Sequence, residues 1–165
     1  MSKEVPVIRA VQQSDYETVG ALTLRAYQGL AGFTNTGGYE DELTDVASRV
    51  RDAEVFVALL DDEIVGGITF VADSTSVLSE WDDADAAGIR MLAIVPDHQG
   101  KGLGRALTAF TIDRARGLGK TRLLLHSTDF MHSAHRLYES MGFVRAPEID
   151  FEVEPVTLWG YRLEL

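Results

Sequence analysis

A short apolar segment followed by alternating glycines constrains the fold of this chain more than any other feature. Residues 89–95, Ile-Arg-Met-Leu-Ala-Ile-Val, are apolar and β-branched enough for a buried strand, and Pro96 ends its hydrogen-bonding ladder. Gly100, Gly102 and Gly104 then lead into a segment whose apolar spacing suits a helix packed on a sheet. Because a helix N-terminus exposes free amides and glycine lets the backbone approach a ligand, this segment predicts an anion-binding loop.

Two other phosphate-binding loops do not fit the spacing. The dinucleotide-binding fingerprint needs a third glycine at the position that Arg105 occupies. A P-loop ending in Gly-Lys-Thr at residues 119–121 would place its first glycine at Arg114, inside the predicted helix. The pattern that remains is Gln99-x-x-Gly102-x-Gly104 directly after a strand.

A second motif follows about 35 residues later. Residues 134–143 have the pattern Ala-x-x-Leu-Tyr-Glu-x-x-Gly-Phe, which is typical of a short helix closed by a glycine. In this order the two motifs resemble the GNAT superfamily of N-acetyltransferases, over roughly residues 87–144. The resemblance implies an α/β (α+β) fold in which a mixed central β-sheet is flanked by helices on both faces. One such domain is expected to span residues 1–165.

The resemblance also implies a site for acetyl-CoA, which would act as a co-substrate. Backbone amides from Gly100 to Arg105 would bind the pyrophosphate, and the side-chain amide of Gln99 would hold the loop. The backbone of the strand would bind the pantetheine arm and thioester where the strand separates from its neighbour. The expected cofactor-binding residues are Leu92, Ala93, Ile94, Gln99, Gly100, Lys101, Gly102, Leu103, Gly104 and Arg105, with Lys101 and Arg105 adding positive charge.

Two residues are candidates for proton transfer. By resemblance, Tyr138 would stand near the thioester sulfur and donate a proton to the departing thiolate. In some relatives a glutamate that acts as the general base stands where this chain has Gly88, and in others it stands where this chain has His126. His126 is a candidate base because imidazole titrates near neutral pH, although a histidine satisfied within the core is the alternative. Water relaying the proton to a carboxylate in residues 80–85 is equally open.

Two segments are expected to border the acceptor. Residues 80–85 are acidic, so their carboxylates would attract an amine and Trp81 would stack on it. Residues 29–38 form a glycine-rich loop that includes Phe33 and Asn35. Both segments are also consistent with passive, solvated loops. Met131 stands where the family often has an asparagine, so Ser127 or Thr128 would replace that contact with pantetheine.

Composition excludes several classes of protein. The net charge of −11 argues against a nucleic-acid partner and suits a cationic acceptor, although it equally serves solubility. The chain has no cysteine, so disulfides and an acetyl-cysteine intermediate are excluded, and transfer should be direct, in a ternary complex. His126, His132 and His135 lack a matching acidic pattern, so no metal site is expected. With neither a long apolar run nor a signal-peptide core, we expect a cytoplasmic location and no membrane contact.

The sequence therefore favours acetyl transfer from acetyl-CoA to a primary amine on a small molecule, a peptide N-terminus or a lysine. A catalytically weak acyl-CoA-binding module is the alternative, and a nucleotide-binding α/β domain is a third. Residues 150–165 would offer strands for a possible homodimer.

The predicted elements follow the order β, α, α, β, β, β, α, β, α, β, β. Strands are expected at 5–11, 55–60, 64–72, 89–95, 121–126, near Val144 and at 156–163. Helices are expected from a capping box of Ser14 and Glu17 to about Tyr27, and at 40–51, 105–117 and 133–143.

Overall fold

The computed structural model of the protein describes residues 4–165, which form one sheet with helices packed against it. The strands are β1 (Val7–Ala10), β2 (Glu54–Leu60), β3 (Glu63–Val71), β4 (Ala86–Ile94), β5 (Arg122–Thr128), β6 (Val144–Arg145), β7 (Phe151–Val153) and β8 (Val156–Glu164). The helices are α1 (Tyr16–Gln28), α2 (Tyr39–Thr44), α3 (Val46–Asp52), α4 (Leu103–Gly117) and α5 (His132–Ser140). Within residues 4–165, no helix has the length and hydropathy needed to cross a bilayer.

The sheet is mixed, and helices cover both of its faces. Its strand order is β1-β2-β3-β4-β5-β8-β6, with β7 also paired to β8, and of these pairs β4–β5 is parallel. Along β2, Phe56 and Ala58 belong to the core cluster that contains residues of α4 and α5. The alternate residues Val55 and Val57 pack instead with Val19 of α1 and residues of α3. The predicted fold class is confirmed.

The parallel pair β4–β5 separates halfway along its length. The two strands pair from Ala86–Arg122 to Ile89–Leu125, yet β4 continues to Ile94 and β5 to Thr128. Just beyond the last pair, Met91 has a φ of 54°, a left-handed conformation that costs a non-glycine residue about 1–3 kcal/mol. We call the space between residues 90–94 of β4 and 126–128 of β5 the β4–β5 slot.

Several predicted boundaries were wrong, because side chains of other segments decide them. The capping box at the start of α1 does not use Ser14: Asp15 accepts a hydrogen bond from the backbone N–H of Gln12 at 2.8 Å and pairs with Arg9 of β1 at 2.7 Å. The predicted helix 40–51 is two helices, because Asp45 leaves helical geometry and its carboxylate accepts from the N–H of Ser48 at 3.1 Å to begin α3.

The C-terminal strands also differ from the prediction. A short extra strand, β7, forms a hairpin with β8, and β8 lies between β5 and β6 inside the sheet. The sheet edge on this side therefore belongs to β6 and β7 and not to the final strand.

Helix α1 and the end of α2 approach each other closely at Gly20. A Cβ added there would lie 2.6 Å from the carbonyl oxygen of Thr44, closer than real Cβ atoms come to backbone. Helix propensity alone favours alanine over an internal glycine by about 1 kcal/mol. We expect Gly20→Ala to lower the free energy of unfolding by about 1–3 kcal/mol, because the clash outweighs propensity.

Chemical denaturation checks this expectation, with Gly117→Ala on α4 as the matched control. A Cβ at Gly117 has no atom within 4 Å, so that variant should be as stable as the parent or slightly more stable. A Gly20→Ala variant that is equally stable would show that the two helices do not approach this closely.

Candidate active site

The loop between β4 and α4 presents a row of free backbone amides. Gly100 and Gly102 have φ values of 78° and 85°, the left-handed region that glycine adopts without strain. The first hydrogen bond of the helix runs from the N–H of Ala106 to the carbonyl of Gly102 at 3.0 Å. Among residues 4–165, the backbone N–H groups of 100–105 have no hydrogen-bond acceptor. These amides can therefore receive an anion.

Side chains around this glycine loop, residues 99–105, brace it against the sheet and against α5. Gln99 donates from its side-chain amide to the carbonyl of Ile94 at 3.2 Å, so it ties the loop to β4 as predicted. Arg105 donates to the hydroxyl of Ser140 at 2.5 Å. Lys101 is exposed beside His98, with Nζ and Nδ1 separated by 3.4 Å. The loop thus carries two cations, Lys101, which is exposed beside His98, and Arg105, which joins α4 to α5.

The backbone of Leu92, Ala93 and Ile94 borders the slot. On the β3 side, Ala93 and Ile94 pair with Gly67 and Gly66. On the β5 side, Ile89 is the last residue of β4 that pairs within residues 4–165. This stretch of β4 can consequently pair with an extended ligand, and it leads directly into the glycine loop.

Tyr138 lies on α5 and is 6% exposed. Its ring contacts Phe143 and Tyr161, with ring centroids 5.6 and 6.3 Å away. Burial raises the pKa of Tyr138, so the phenol keeps its proton at physiological pH and can act as a donor.

A cavity of about 360 Å³ opens beside the slot. Aromatic and aliphatic side chains dominate its wall, which is built from α1, α2, the segment between them, β4, β5 and the β7–β8 hairpin. We call it the aromatic cavity; its lining residues are Tyr27, Phe33, Thr34, Gly37, Tyr39, Glu42, Glu80, Arg90, Met91, His126, Thr128, Phe130, Met131, Phe151, Val153, Val156 and Leu158.

One wall of the aromatic cavity is ionic. Glu80 places Oε1 3.2 Å from Nε of Arg90 and Oε2 3.9 Å from Nδ1 of His126. The other ring nitrogen of His126, Nε2, lies 2.7 Å from the carbonyl oxygen of Ile149. The side chain of His126 is 1% exposed, although the residue as a whole is half-buried because its backbone remains accessible.

Two tyrosines, Tyr27 and Tyr39, form another part of the cavity wall. The rings of Tyr27 and Tyr39 meet edge to face at 6.0 Å, and Phe33 contacts Tyr27 at 6.1 Å. Burial raises the pKa of both tyrosines, which therefore present neutral hydroxyl groups. Of the two residues predicted from the glycine-rich loop, Phe33 lines the cavity, whereas the side chain of Asn35 accepts from the N–H of Glu40 at 2.9 Å.

Side-chain contacts hold the acidic loop between β3 and β4 in place, so it is not a solvated, mobile segment. Asp83 forms a two-point ion pair with Arg122, at 2.7 and 3.1 Å. Trp81 donates from Nε1 to the carbonyl of Ala86 at 3.3 Å, and its ring covers Gly88, where an added Cβ would lie 2.1 Å from the indole. Trp81 was expected to stack on an acceptor, but it packs against β4 instead.

Of the remaining polar candidates near β5, His135 and Ser127 have structural partners, whereas the buried hydroxyl of Thr128 has none within residues 4–165. His135 lies 2.9 Å from the carbonyl of Thr128 through Nε2 and stacks on Trp159, and burial lowers its pKa. Ser127 donates to the sulfur of Met131 at 3.5 Å. Of the two expected replacements for an asparagine, Thr128 is the one that lines the cavity. No cluster of three potential metal ligands occurs in residues 4–165.

Sequence reasoning missed several lining residues. Arg90 interrupts an otherwise apolar strand, which is a signal that could have marked it as functional. Tyr27 and Tyr39 carry no comparable signal, because each also suits a helix packed on a core. Phe151 was missed as a lining residue because β7 itself was not predicted.

Comparison with known proteins agrees with this geometry. The family model described as "Acetyltransferase (GNAT) family" matches residues 17–143. The uncharacterized N-acetyltransferase YjgM of Escherichia coli (strain K12) is 29% identical over 149 residues, which cover 87% of this chain and 84% of that protein. Streptothricin acetyltransferase of Streptomyces lavendulae is 31% identical over 111 residues, which cover 67% of this chain and 54% of that longer protein.

Solved structures give the same fold. The protein yncA of Salmonella typhimurium, solved with its cofactor acetyl-CoA, superimposes with a TM-score of 0.70 at 22% identity, over 97% of this chain and 94% of that one. The family model spans most of the chain, including the glycine loop and the motif around Tyr138. The chain therefore belongs to the acetyltransferase (GNAT) family of N-acetyltransferases.

Proposed function

We propose that the protein transfers an acetyl group from acetyl-CoA directly to a primary amine carried on a small molecule with an apolar or aromatic body. One observation carries this proposal: the β4–β5 slot connects a loop of free amides at one end with the aromatic cavity at its side. A donor lying in the slot would present its thioester to an amine in the cavity. Positioning of this kind is a major source of rate enhancement.

The donor would be bound mainly by backbone. The N–H groups of residues 100–105 would receive the pyrophosphate, with Lys101 and Arg105 adding positive charge. The peptide groups of Leu92 to Ile94 would pair with the pantetheine arm. Acetyl-CoA in the structure of the Salmonella relative supports this donor.

The chemistry needs one nucleophile and one proton donor. The neutral amine attacks the thioester carbon, the C–N bond forms, and the C–S bond breaks. Tyr138 donates its phenolic proton to the departing sulfur, and the nitrogen loses its extra proton to complete the amide. Amine and acetyl-CoA thus become amide and free CoA without an acyl-enzyme, which the lack of cysteine already disfavours.

The aromatic cavity supports an acceptor with a hydrophobic body. Phe130, Phe151, Val156 and Leu158 would contact that body, whereas Glu80 would attract the cationic amine. A relative named for streptothricin supports a small-molecule acceptor. The net charge of −11 favours approach of cations in the same way.

Thiol release tests the proposal directly. Mixed with acetyl-CoA, the protein should release CoA faster with 2-phenylethylamine or hexylamine than with spermidine or a lysine-containing peptide. Release above the hydrolysis background only with the peptide would contradict the acceptor class. Binding of CoA without release by any amine would favour a catalytically weak acyl-CoA-binding module.

A second prediction concerns the general acid. We expect Tyr138→Phe to lower kcat about 100-fold while the KM for acetyl-CoA stays within about twofold, because the variant loses only a proton donor. The matched control is Tyr161→Phe, since Tyr161 is also buried and lies in the same aromatic cluster. Equal rates for Tyr138→Phe and the parent across the pH range would remove Tyr138 from the mechanism.

A third prediction concerns the glycine loop. Gly102→Ala meets no atom within 4 Å but places alanine at a φ of 85°, so the loop must distort. We expect the Kd for CoA to rise about tenfold, equivalent to the 1.4 kcal/mol that a displaced amide or two would cost. Isothermal titration calorimetry measures this change.

Gly119→Ala is the control for strain. Gly119 also has a positive φ, 76°, and open space around it, but it follows the opposite end of α4. It should lose similar stability while its Kd for CoA remains within about twofold. Equal losses of affinity in the two variants would indicate a general effect of strain and no pyrophosphate site.

A further inference from the structure

An amine that reaches the aromatic cavity arrives mostly as its ammonium form and must lose a proton before it can attack. Some relatives carry a glutamate on β4 at the position of Gly88. This chain has no carboxylate there, and the indole of Trp81 fills the space above Gly88. A protein side chain that takes this proton must therefore come from another segment.

Glu80 is a carboxylate that faces the cavity and is held there. Its side chain is 19% exposed, and Arg90 holds Oε1 at 3.2 Å. The loop that carries it is tied down on both sides of the residue. Ser79 donates its hydroxyl to the carbonyl of Trp81 at 2.9 Å, and Trp81 in turn donates to Ala86. Such support keeps a reacting group within the narrow geometry that catalysis requires.

Behind Glu80 lies a histidine whose tautomer is fixed by its surroundings. A carbonyl oxygen can only accept, so Nε2 of His126 carries the hydrogen that is donated to Ile149. The neutral ring therefore has its lone pair on Nδ1, which is buried, has no hydrogen-bond partner within residues 4–165 and points at Oε2 of Glu80. Nδ1 and Oε2 of Glu80 are 3.9 Å apart, which is longer than a hydrogen bond, so a proton joins them after a side-chain shift of about 1 Å or through one bridging water.

The peptide that fixes the tautomer is itself anchored. Asp150, the residue after Ile149, accepts from the N–H of Gly160 at 2.6 Å and from Arg145 at 2.8 Å. The ring of His126 also contacts Phe151 edge to face at 4.7 Å. His126 is thus held from three sides and cannot easily turn away from Glu80.

We propose that Glu80 is the catalytic base that takes the proton from the acceptor ammonium, and that His126 is the positioning residue that receives this proton from Glu80 through Nδ1. The proposal rests on the acetyl transfer described above. It assigns the catalytic base to the β3–β4 loop. Trp81 packs on Gly88 and so positions the carboxylate of the preceding residue, Glu80, at the cavity.

Proton transfer from the ammonium to Glu80 breaks one bond and forms one. An N–H bond of the ammonium breaks, its electron pair stays on nitrogen as the nucleophilic lone pair, and an O–H bond forms at Oε2 of Glu80. A side-chain shift of about 1 Å, or one bridging water, then lets that O–H pass its proton to Nδ1 of His126, which becomes imidazolium beside the restored carboxylate. The proton leaves to solvent after product release.

Other charged and titratable groups surround the pair. Tyr27 of α1, Tyr39 and Glu42 of α2, and Arg90 of β4 line the cavity with Glu80. Arg49 of α3 is buried nearby and donates to the carbonyls of Glu42 and Leu43. Asp150 lies on the far side of His126. A variant at Glu80 should therefore leave all of these groups unchanged.

The pH dependence of turnover tests the catalytic role, with an amine that the parent protein acetylates. We expect Glu80→Gln to lower kcat about 100-fold at pH 7, with a loss that shrinks as the pH rises, because solvent then supplies the neutral amine. The KM for acetyl-CoA should stay within about twofold. Asp82→Asn, an exposed carboxylate of the same loop, should match the parent. A constant loss at every pH would mean that Glu80 is only structural and would overturn the proposal.

His126→Gln separates positioning from packing. Its amide can still donate to Ile149, but it has no basic nitrogen, so the acid limb of the kcat profile should move and the rate should fall about tenfold. An equal fall at all pH values would overturn the role of His126.

Histidine ring ¹⁵N NMR examines the pair without any turnover. The shifts should mark Nε2 of His126 as protonated and Nδ1 as the lone-pair nitrogen, and Glu80→Gln but not Asp82→Asn should move the Nδ1 resonance. The opposite tautomer would overturn the proposal even in an active enzyme. If the parent acetylates no amine while the NMR result holds, the proposed function fails and the Glu80–His126 contact stands.

Discussion

The end of β4–β5 pairing after Ile89 and Leu125 is the constraint on which the rest of the site depends. Continuous pairing would leave neither a slot nor an exposed stretch of β4 backbone. The separation places Met91 in a left-handed backbone conformation, which costs about 1–3 kcal/mol. The surrounding core, with Ile89 and Ala93 buried on either side, is what keeps that conformation in place.

Divergence of the strands also determines which side chains meet. Arg90 and Met91 leave β4 where the slot opens, and His126 and Thr128 leave β5 opposite them. The β3–β4 loop then closes over this opening, tied by Asp83 to Arg122 at the start of β5. One irregularity in the sheet thus creates the β4–β5 slot and brings the ionic wall of the aromatic cavity together.

The conformation of the loop expected to bind the donor was predictable from sequence because it is local. The glycine loop, the helix after it and the strand before it occupy consecutive residues, so spacing alone distinguished them from other phosphate loops. Gln99, whose amide was expected to hold the loop, donates to the carbonyl of Ile94, only five positions away. The fold class was equally accessible, since the two motifs occur in the order that the family requires.

The cavity was not predictable to the same degree, because its residues come from distant segments and meet only in the folded sheet. Glu80 was one of several acidic residues in its loop, and sequence could not tell that Asp83 pairs with Arg122 while Glu80 turns inward. Trp81 offered a plausible stacking ring, but the absence of a side chain at Gly88 gave it a place on β4 instead. Likewise, the break at Asp45 depends on one carboxylate capping one amide, a contact that helical periodicity does not reveal.

Amide hydrogen exchange with and without CoA tests the central claim most directly. If the open backbone of β4 binds the pantetheine arm, CoA should slow exchange both in residues 92–94 and in the glycine loop, 99–105. Residues 88 and 89, already paired with both β3 and β5, should not change. Protection of the glycine loop with no change in residues 92–94 would show that the arm lies elsewhere and would contradict the account.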